Sequence, residues 1–141
     1  MKLDEIQTLL DDNEKITDDV SKESKKIPIL HGKLLGVRAS ENLLLRSLNL
    51  ELQRTYATRW LFYSGKAHPE EYKKENFDLK VLRGDISTFL EADQQLQTIR
   101  SKIAVQEAKM ELLNEAIKGV MQRTFLLKTM LDYQKLISGV M

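Results

Sequence analysis

The sequence predicts an all-α protein with two long helices, several short ones and coiled-coil-like packing between them. Three observations carry that prediction. The 141 residues include two prolines and six glycines, too few breakers for the turns of an all-β fold. Apolar residues make up 42%, aromatic residues 6% and charged residues 30%, a balance suited to long helices with narrow apolar seams. Between Leu96 and Gln134 the apolar positions alternate in steps of three and four, the spacing of a coiled-coil seam.

The elements follow in order. Leu3, Ile6, Leu9 and Leu10 stand at helical spacing and predict a short amphipathic helix. Residues 11–27 are polar and acidic and read as a mobile linker, with one helical turn around Ile16 and Val20. This divides the chain into an acidic N-terminal helix and linker, 1–27, and a helical body, 28–141, which carries binding and oligomerisation in the reading developed below.

From Pro28 or Ile29 to Tyr63 the pattern is one long helix, with Pro28 in its first turn. Leu44, Leu48, Leu52, Tyr56 and Trp60 recur every four residues. Leu34, Leu43, Leu45, Leu50 and Leu61 add apolar surface on other sides. A helix apolar on several faces needs several neighbours, and in so small a chain other subunits can supply some of them. Ser64 to Pro69 reads as a loop in which Gly65 ends the helix. Residues 69–74 predict a short helix with acids first and bases last, as the helix dipole prefers. Asn76 or Asp78 offers a cap to a helix over 79–91. A helix over 93–138 follows it, fused or kinked near Ala92-Asp93. The first long helix can fold back antiparallel on the second.

The seam occupies Leu96, Ile103, Met110, Ile117, Thr124 and Leu131 on one row, and Ile99, Gln106, Leu113, Val120, Leu127 and Gln134 on the other. Ile103, Met110, Leu113, Ile117, Val120, Leu127 and Leu131 are its candidate oligomerisation or bundle contacts. The spacing suits packing within a chain and packing between chains equally. Thr124, Gln106 and Gln134 either set the register or are partly exposed.

Charge is segregated along the chain. Residues 1–23 hold three lysines against eight acids, whereas residues 24–66 hold eight Lys/Arg against Glu41 and Glu51. A polyanion responds to such a local field rather than to the net charge of +1.

Catalytic patterns are missing. There is no cysteine, and the two histidines, His31 and His68, lack partners at ligand spacing. No phosphate- or dinucleotide-binding glycine pattern occurs. The expectation is a protein that is not an enzyme, with no metal and no cofactor. The N-terminus lacks the apolar core of a signal peptide, and no apolar run approaches the ~20 residues of a membrane span. The expected location is the cytoplasm, away from membranes.

The remaining constellation is basic and aromatic: Arg54, Tyr56, Arg59, Trp60, Phe62, Tyr63 and Lys66. Cationic side chains neutralise phosphates and release counterions, and aromatic faces stack on unpaired bases. Arg59, Arg54, Lys66, Lys33, Arg38 and Tyr63 are the candidate nucleic-acid contacts. Tyr56 and Trp60 also continue the apolar row and read first as core. Arg54 and Arg59 read equally as a solvated face or an inter-subunit ion pair.

At Trp60-Leu61-Phe62-Tyr63-Ser64-Gly65-Lys66-Ala67 the chain resembles the UvsY family of recombination mediators from T-even and related bacteriophages. The likeness continues through Tyr72 and Asn76-Phe77-Asp78-Leu79-Lys80-Val81-Leu82. It runs on to Asp93, Arg123, Lys128 and Ile137-Ser138-Gly139. The resemblance implies single-stranded DNA binding and a closed homo-oligomeric ring, a hexamer or heptamer, in an infected bacterial host. It also implies two protein partners, a RecA-like phage recombinase and the phage single-strand-binding protein, the recombinase being loaded onto DNA the other covers. The family pattern has a lysine and an arginine two apart before Tyr-Ser-Gly. Arg59 matches the arginine, Ala57 stands at the lysine position, and Arg54 is the basic residue upstream that can substitute. The competing reading is a structural coiled-coil adaptor or assembly chaperone that binds no nucleic acid and offers the seam to a foreign helix.

Overall fold

The computed structural model describes residues 2–14, 20–77 and 79–139, with the side chains of 10–14 left aside. Helix α1 spans Leu3–Glu14, α2 Val20–Tyr63, α3 Pro69–Lys74, α4 Ile86–Ala92 and α5 Gln94–Ser138. A 3-10 turn, Arg83–Asp85, precedes α4. No strand occurs among the described residues, so the chain is all-α.

The chain forms two compact units. One holds Met1–Leu43 with Ala108–Met141, and the other holds Leu44–Glu107. Helices α2 and α5 each contribute to both.

In the first unit, Ile6, Leu30, Leu34, Leu113 and Val120 form the buried core. Leu9, Ile27, Val37, Leu112, Ala116 and Ile117 pack around it. Arg38 donates to Asn114 Oδ1 at 3.3 Å, and Lys109 lies 4.0 Å from Glu41. These pairs climb α2 as they descend α5, so the two helices run antiparallel in this unit. Burying a leucine or isoleucine here contributes roughly 1.5–3 kcal/mol each. The apolar spacing in α1, α2 and α5 thus meets in one place, and the seam residues Leu113 and Val120 have their partners within the chain.

Helix α2 begins eight residues before Pro28, where a linker was expected. The physical reason is a second inward-facing set. Ile27 packs on the core, and Glu23 is buried and bonded to Lys26 Nζ at 3.1 Å. Pro28 therefore lies inside the helix rather than in its first turn. The expected turn at Ile16 falls outside the described residues.

In the second unit, Phe62, Tyr63, Ile86, Leu90 and Leu96 are buried. Leu52, Trp60, Ala67, Tyr72, Phe77, Val81 and Phe89 pack against them. Helix α2 ends as its sequence predicts. Gly65 takes φ 81°, Gly65 N–H bonds Phe62 C=O at 3.2 Å and Lys66 N–H bonds Leu61 C=O at 2.9 Å. This is a Schellman termination, whose left-handed residue favours glycine. His68 caps α3, accepting from Glu70 N–H at 3.2 Å. Tyr72 then ties the loop back, donating to Phe62 C=O at 2.7 Å.

The helix expected from residue 79 starts later. Leu82 is extended (φ −71°, ψ 146°), and Asp85 N–H bonds Leu82 C=O at 2.8 Å, so helical geometry enters only through the 3-10 turn. Asn76 does not cap it; its φ of 51° belongs to the turn after α3. The alternative cap, Asp78, lies outside the described residues. The kink near Ala92-Asp93 is a true break: Asp93 is extended (φ −66°, ψ 124°), ends α4 and starts α5.

Burial along α5 follows the seam as far as Leu127. Leu96, Ile99, Ile103, Gln106, Leu113, Val120 and Leu127 are buried, while Met110 and Ile117 are half-buried. Gln106 is thus an inward polar residue. Thr124, Leu131 and Gln134 are exposed, although Thr124 and Leu131 still line a cleft with Val20, Ser24, Ile27 and Pro28 of α2.

Candidate nucleic-acid interface

The six candidate DNA contacts separate into two kinds. Arg59 and Tyr63 point inward and are 6% and 8% exposed. Lys33, Arg54 and Lys66 are exposed, and Arg38 is half-buried on its bond to Asn114.

Arg59 is engaged by acids within its own unit. Its Nε donates to Asp93 Oδ2 at 2.6 Å. Its two terminal nitrogens donate to the Glu75 oxygens at 2.5 and 2.9 Å, a bidentate fork that suits guanidinium geometry. Nη2 also donates to the Tyr63 hydroxyl at 3.2 Å. That hydroxyl in turn donates to Asp93 Oδ2 at 2.6 Å. The guanidinium carbon sits 4.2 Å from the Phe62 ring centre, within cation–π range. Arg59 and Tyr63 therefore hold α2 to the α4–α5 junction; the expectation that they face DNA is revised, because their polar atoms are used inside the chain.

Asp93 serves both purposes at once. Its Oδ1 accepts Leu96 N–H at 3.0 Å, which caps α5. Burial pushes its carboxyl up, but bonds from Tyr63, Leu96 N–H and Arg59 outweigh that and hold it below the usual carboxylate range. Burial, then the bond to Asp93, push the Tyr63 phenol up. Burial disfavours the Arg59 cation, yet its bonds to Glu75, Tyr63 and Asp93 prevail and raise its pKa.

Sequence reasoning singled out Asp93 as a family position but not as the partner of Arg59. The two are 34 residues apart, and no local spacing links them. Glu75 was missed for the same reason.

The open basic surface of the second unit lies beside this network. Lys66 Nζ stands 5.5 Å from the Trp60 ring centre. Trp60, Ser64, Lys66, Val81, Arg83 and Ile86 line a cleft of about 290 Å³. Arg83 was not among the expected contacts, since it lies beyond the basic segment and reaches this cleft through the 3-10 turn.

Among the described residues no group of three or more His, Cys, Asp or Glu could hold a metal, and no helix is long and apolar enough to cross a membrane.

These features define a class: an all-α protein on two long helices, with a buried arginine network at its helix junction and an open basic edge beside it. The family model described as "Recombination, repair and ssDNA binding protein UvsY" matches residues 3–140, and the chain belongs to the UvsY family of recombination mediators. Crystal structures of the bacteriophage T4 recombination mediator protein UvsY share the fold. Lattice type II has a TM-score of 0.86 at 18% identity, covering 98% of each chain. Lattice type I has a TM-score of 0.82 at 17% identity, covering 94% of this chain and 98% of that one. No curated protein sequence matches.

Proposed function

We propose that this chain binds single-stranded DNA as a closed homo-oligomer and loads a RecA-like phage recombinase onto DNA covered by the phage single-strand-binding protein. The observation that carries this reading is the family match over residues 3–140. The open cations Lys33, Arg54 and Lys66 support it, as positive side chains free to neutralise phosphates. A ring would repeat them, and linked sites raise avidity by ~10²–10⁴ without a new contact.

Self-assembly has its own support. Beyond the intrachain seam, Leu126, Tyr133 and Ile137 are exposed and Met130 is half-buried. Their four-three-four spacing makes a second stripe, turned about 100° from the buried row. A second copy of this chain is its natural occupant. The adaptor reading loses its main support, because Leu113 and Val120 are buried against Ile6, Leu30 and Leu34 and leave no seam for a foreign helix there.

The test is the salt dependence of affinity for a fluorescent oligo-dT. Lys33→Ala and Arg54→Ala each lower the slope of log K against log salt by about 0.7, the value for one phosphate contact on a single strand. No binding by the wild type, or unchanged slopes in both variants, rejects these contacts. Recombinase loading is read separately, as filament formation on oligo-dT covered by single-strand-binding protein.

A further inference from the structure

We propose that the cleft between Trp60, Lys66 and Arg83 is a nucleotide subsite, in which the Trp60 indole stacks on one unpaired base while Lys66 and Arg83 hold the adjoining phosphate. It rests on the reading of the chain as a single-strand binder and names a site for it.

Four observations converge. The cleft is about 290 Å³ and open to solvent, so a ligand can enter it without displacing protein. One wall is a half-buried indole packed on the second unit's core, which fixes the ring's orientation before any base arrives. Val81 and Ile86 supply apolar lining beside the indole, and aromatic and apolar side chains together are what hold an unstacked base. Two exposed cations complete the lining. Neither Lys66 nor Arg83 forms an ion pair among the described residues, although Asp85 follows Arg83 by two positions.

The neighbouring groups fit the same ligand. The Lys66 ammonium stands 5.5 Å from the indole centre; a base stacking on that face displaces it on its flexible stem to the base's edge, within reach of the attached phosphate. Ser64 Oγ–H donates to Leu61 C=O at 3.0 Å, which leaves its lone pairs to accept from a base N–H. Tyr56 is 44% exposed and stands one turn before Trp60 on the same helix face, so it extends the aromatic surface along the strand. Contrast Arg59 next door: its charge is matched by Glu75 and Asp93, so it has no fork left to offer.

Trp60 is the sole tryptophan, which makes its emission a direct reporter. The 141-residue chain is titrated with oligo-dT and, separately, with an abasic oligonucleotide of equal length, while anisotropy of labelled strands reports binding. The expected result is quenching of Trp60 by oligo-dT and not by the abasic strand. Trp60→Leu should weaken oligo-dT binding by roughly 5- to 160-fold, the range for one lost stack, and Trp60→Phe should recover part of that loss. Lys66→Ala with Arg83→Ala, both on exposed side chains, should weaken both strands and abolish the quench. If oligo-dT binds by anisotropy but leaves Trp60 emission unchanged, or quenches it no more than the abasic strand, the subsite is overturned while single-strand binding stands. If neither strand binds, the underlying reading fails and the subsite with it.

Discussion

Asp93 accepts the Arg59 Nε at 2.6 Å through one carboxylate oxygen and caps helix α5 through the other. One side chain therefore sets where α5 begins and where the end of α2 docks. The pair is buried on both sides, with side-chain exposures of 7% and 2%. Removing Asp93 leaves Glu75 as the one acid on Arg59 and strips the buried Nε and the Leu96 N–H of their acceptor, which costs more than losing a surface ion pair.

The first prediction follows from that asymmetry. Asp93→Ala should lower unfolding stability by about 2–4 kcal/mol, from the buried donors left without an acceptor and the lost helix cap, with Glu75 still balancing the Arg59 charge. Asp93→Asn should cost less, because asparagine caps helices well and still accepts from Tyr63. Urea unfolding of the two variants checks the order. Equal losses would mean that charge, not capping, accounts for the whole effect.

Acid and alkali should act on different members of the network. The Asp93 carboxyl is held below its ordinary range, so its contribution is complete above about pH 4 and is lost as pH falls through the depressed value. The Tyr63 phenol is raised, so its contribution is complete below about pH 10 and is lost as pH rises through the elevated value. Wild type and Asp93→Asn should therefore converge in stability at acid pH. Wild type and Tyr63→Phe should converge at alkaline pH. Thermal melts across both ranges are the measurement, and a difference that stays constant with pH contradicts the assignment.

The terminal stripe of α5 should govern mass and spare the fold. Tyr133 and Ile137 are 63% and 67% exposed, so Tyr133→Asp with Ile137→Asp removes little intrachain packing. Light scattering should show a smaller species with unchanged helical circular dichroism. An unchanged mass would place the assembly surface elsewhere. Leu113→Asp, by contrast, should unfold the first unit, since Leu113 is 0% exposed and its core has no place for a charge.

Much of this architecture is legible from periodicity and punctuation. The run from Leu96 to Leu127 shows its buried row because a helix that packs on a neighbour must repeat apolar residues on one side. Ser64-Gly65 marks a helix end because only a left-handed residue closes that termination cheaply. Local signals fail at two places for physical reasons. The start of α2 hides behind Glu23, an acid whose burial depends on tertiary surroundings, and behind Pro28, which normally opens a helix. The fate of Arg59 depends on Glu75 and Asp93, whose approach is decided by the folded chain alone. A basic residue beside aromatic ones reads as a ligand contact until its counter-ions are located. Trp60 is the converse case, since its place in a row of core residues conceals an indole that also lines an open cleft.

Pro28 has one more consequence. It carries no N–H, so the rung between its nitrogen and the Ser24 carbonyl is missing from the hydrogen-bond ladder of α2. Residues 20–27 are therefore joined to the rest of the helix by one bond fewer than any other stretch of equal length. They are held mainly by what Ile27 and Glu23 bury rather than by helical continuity. Amides in the first two turns of α2 are therefore expected to exchange sooner than those beyond Leu30, which hydrogen exchange would read directly.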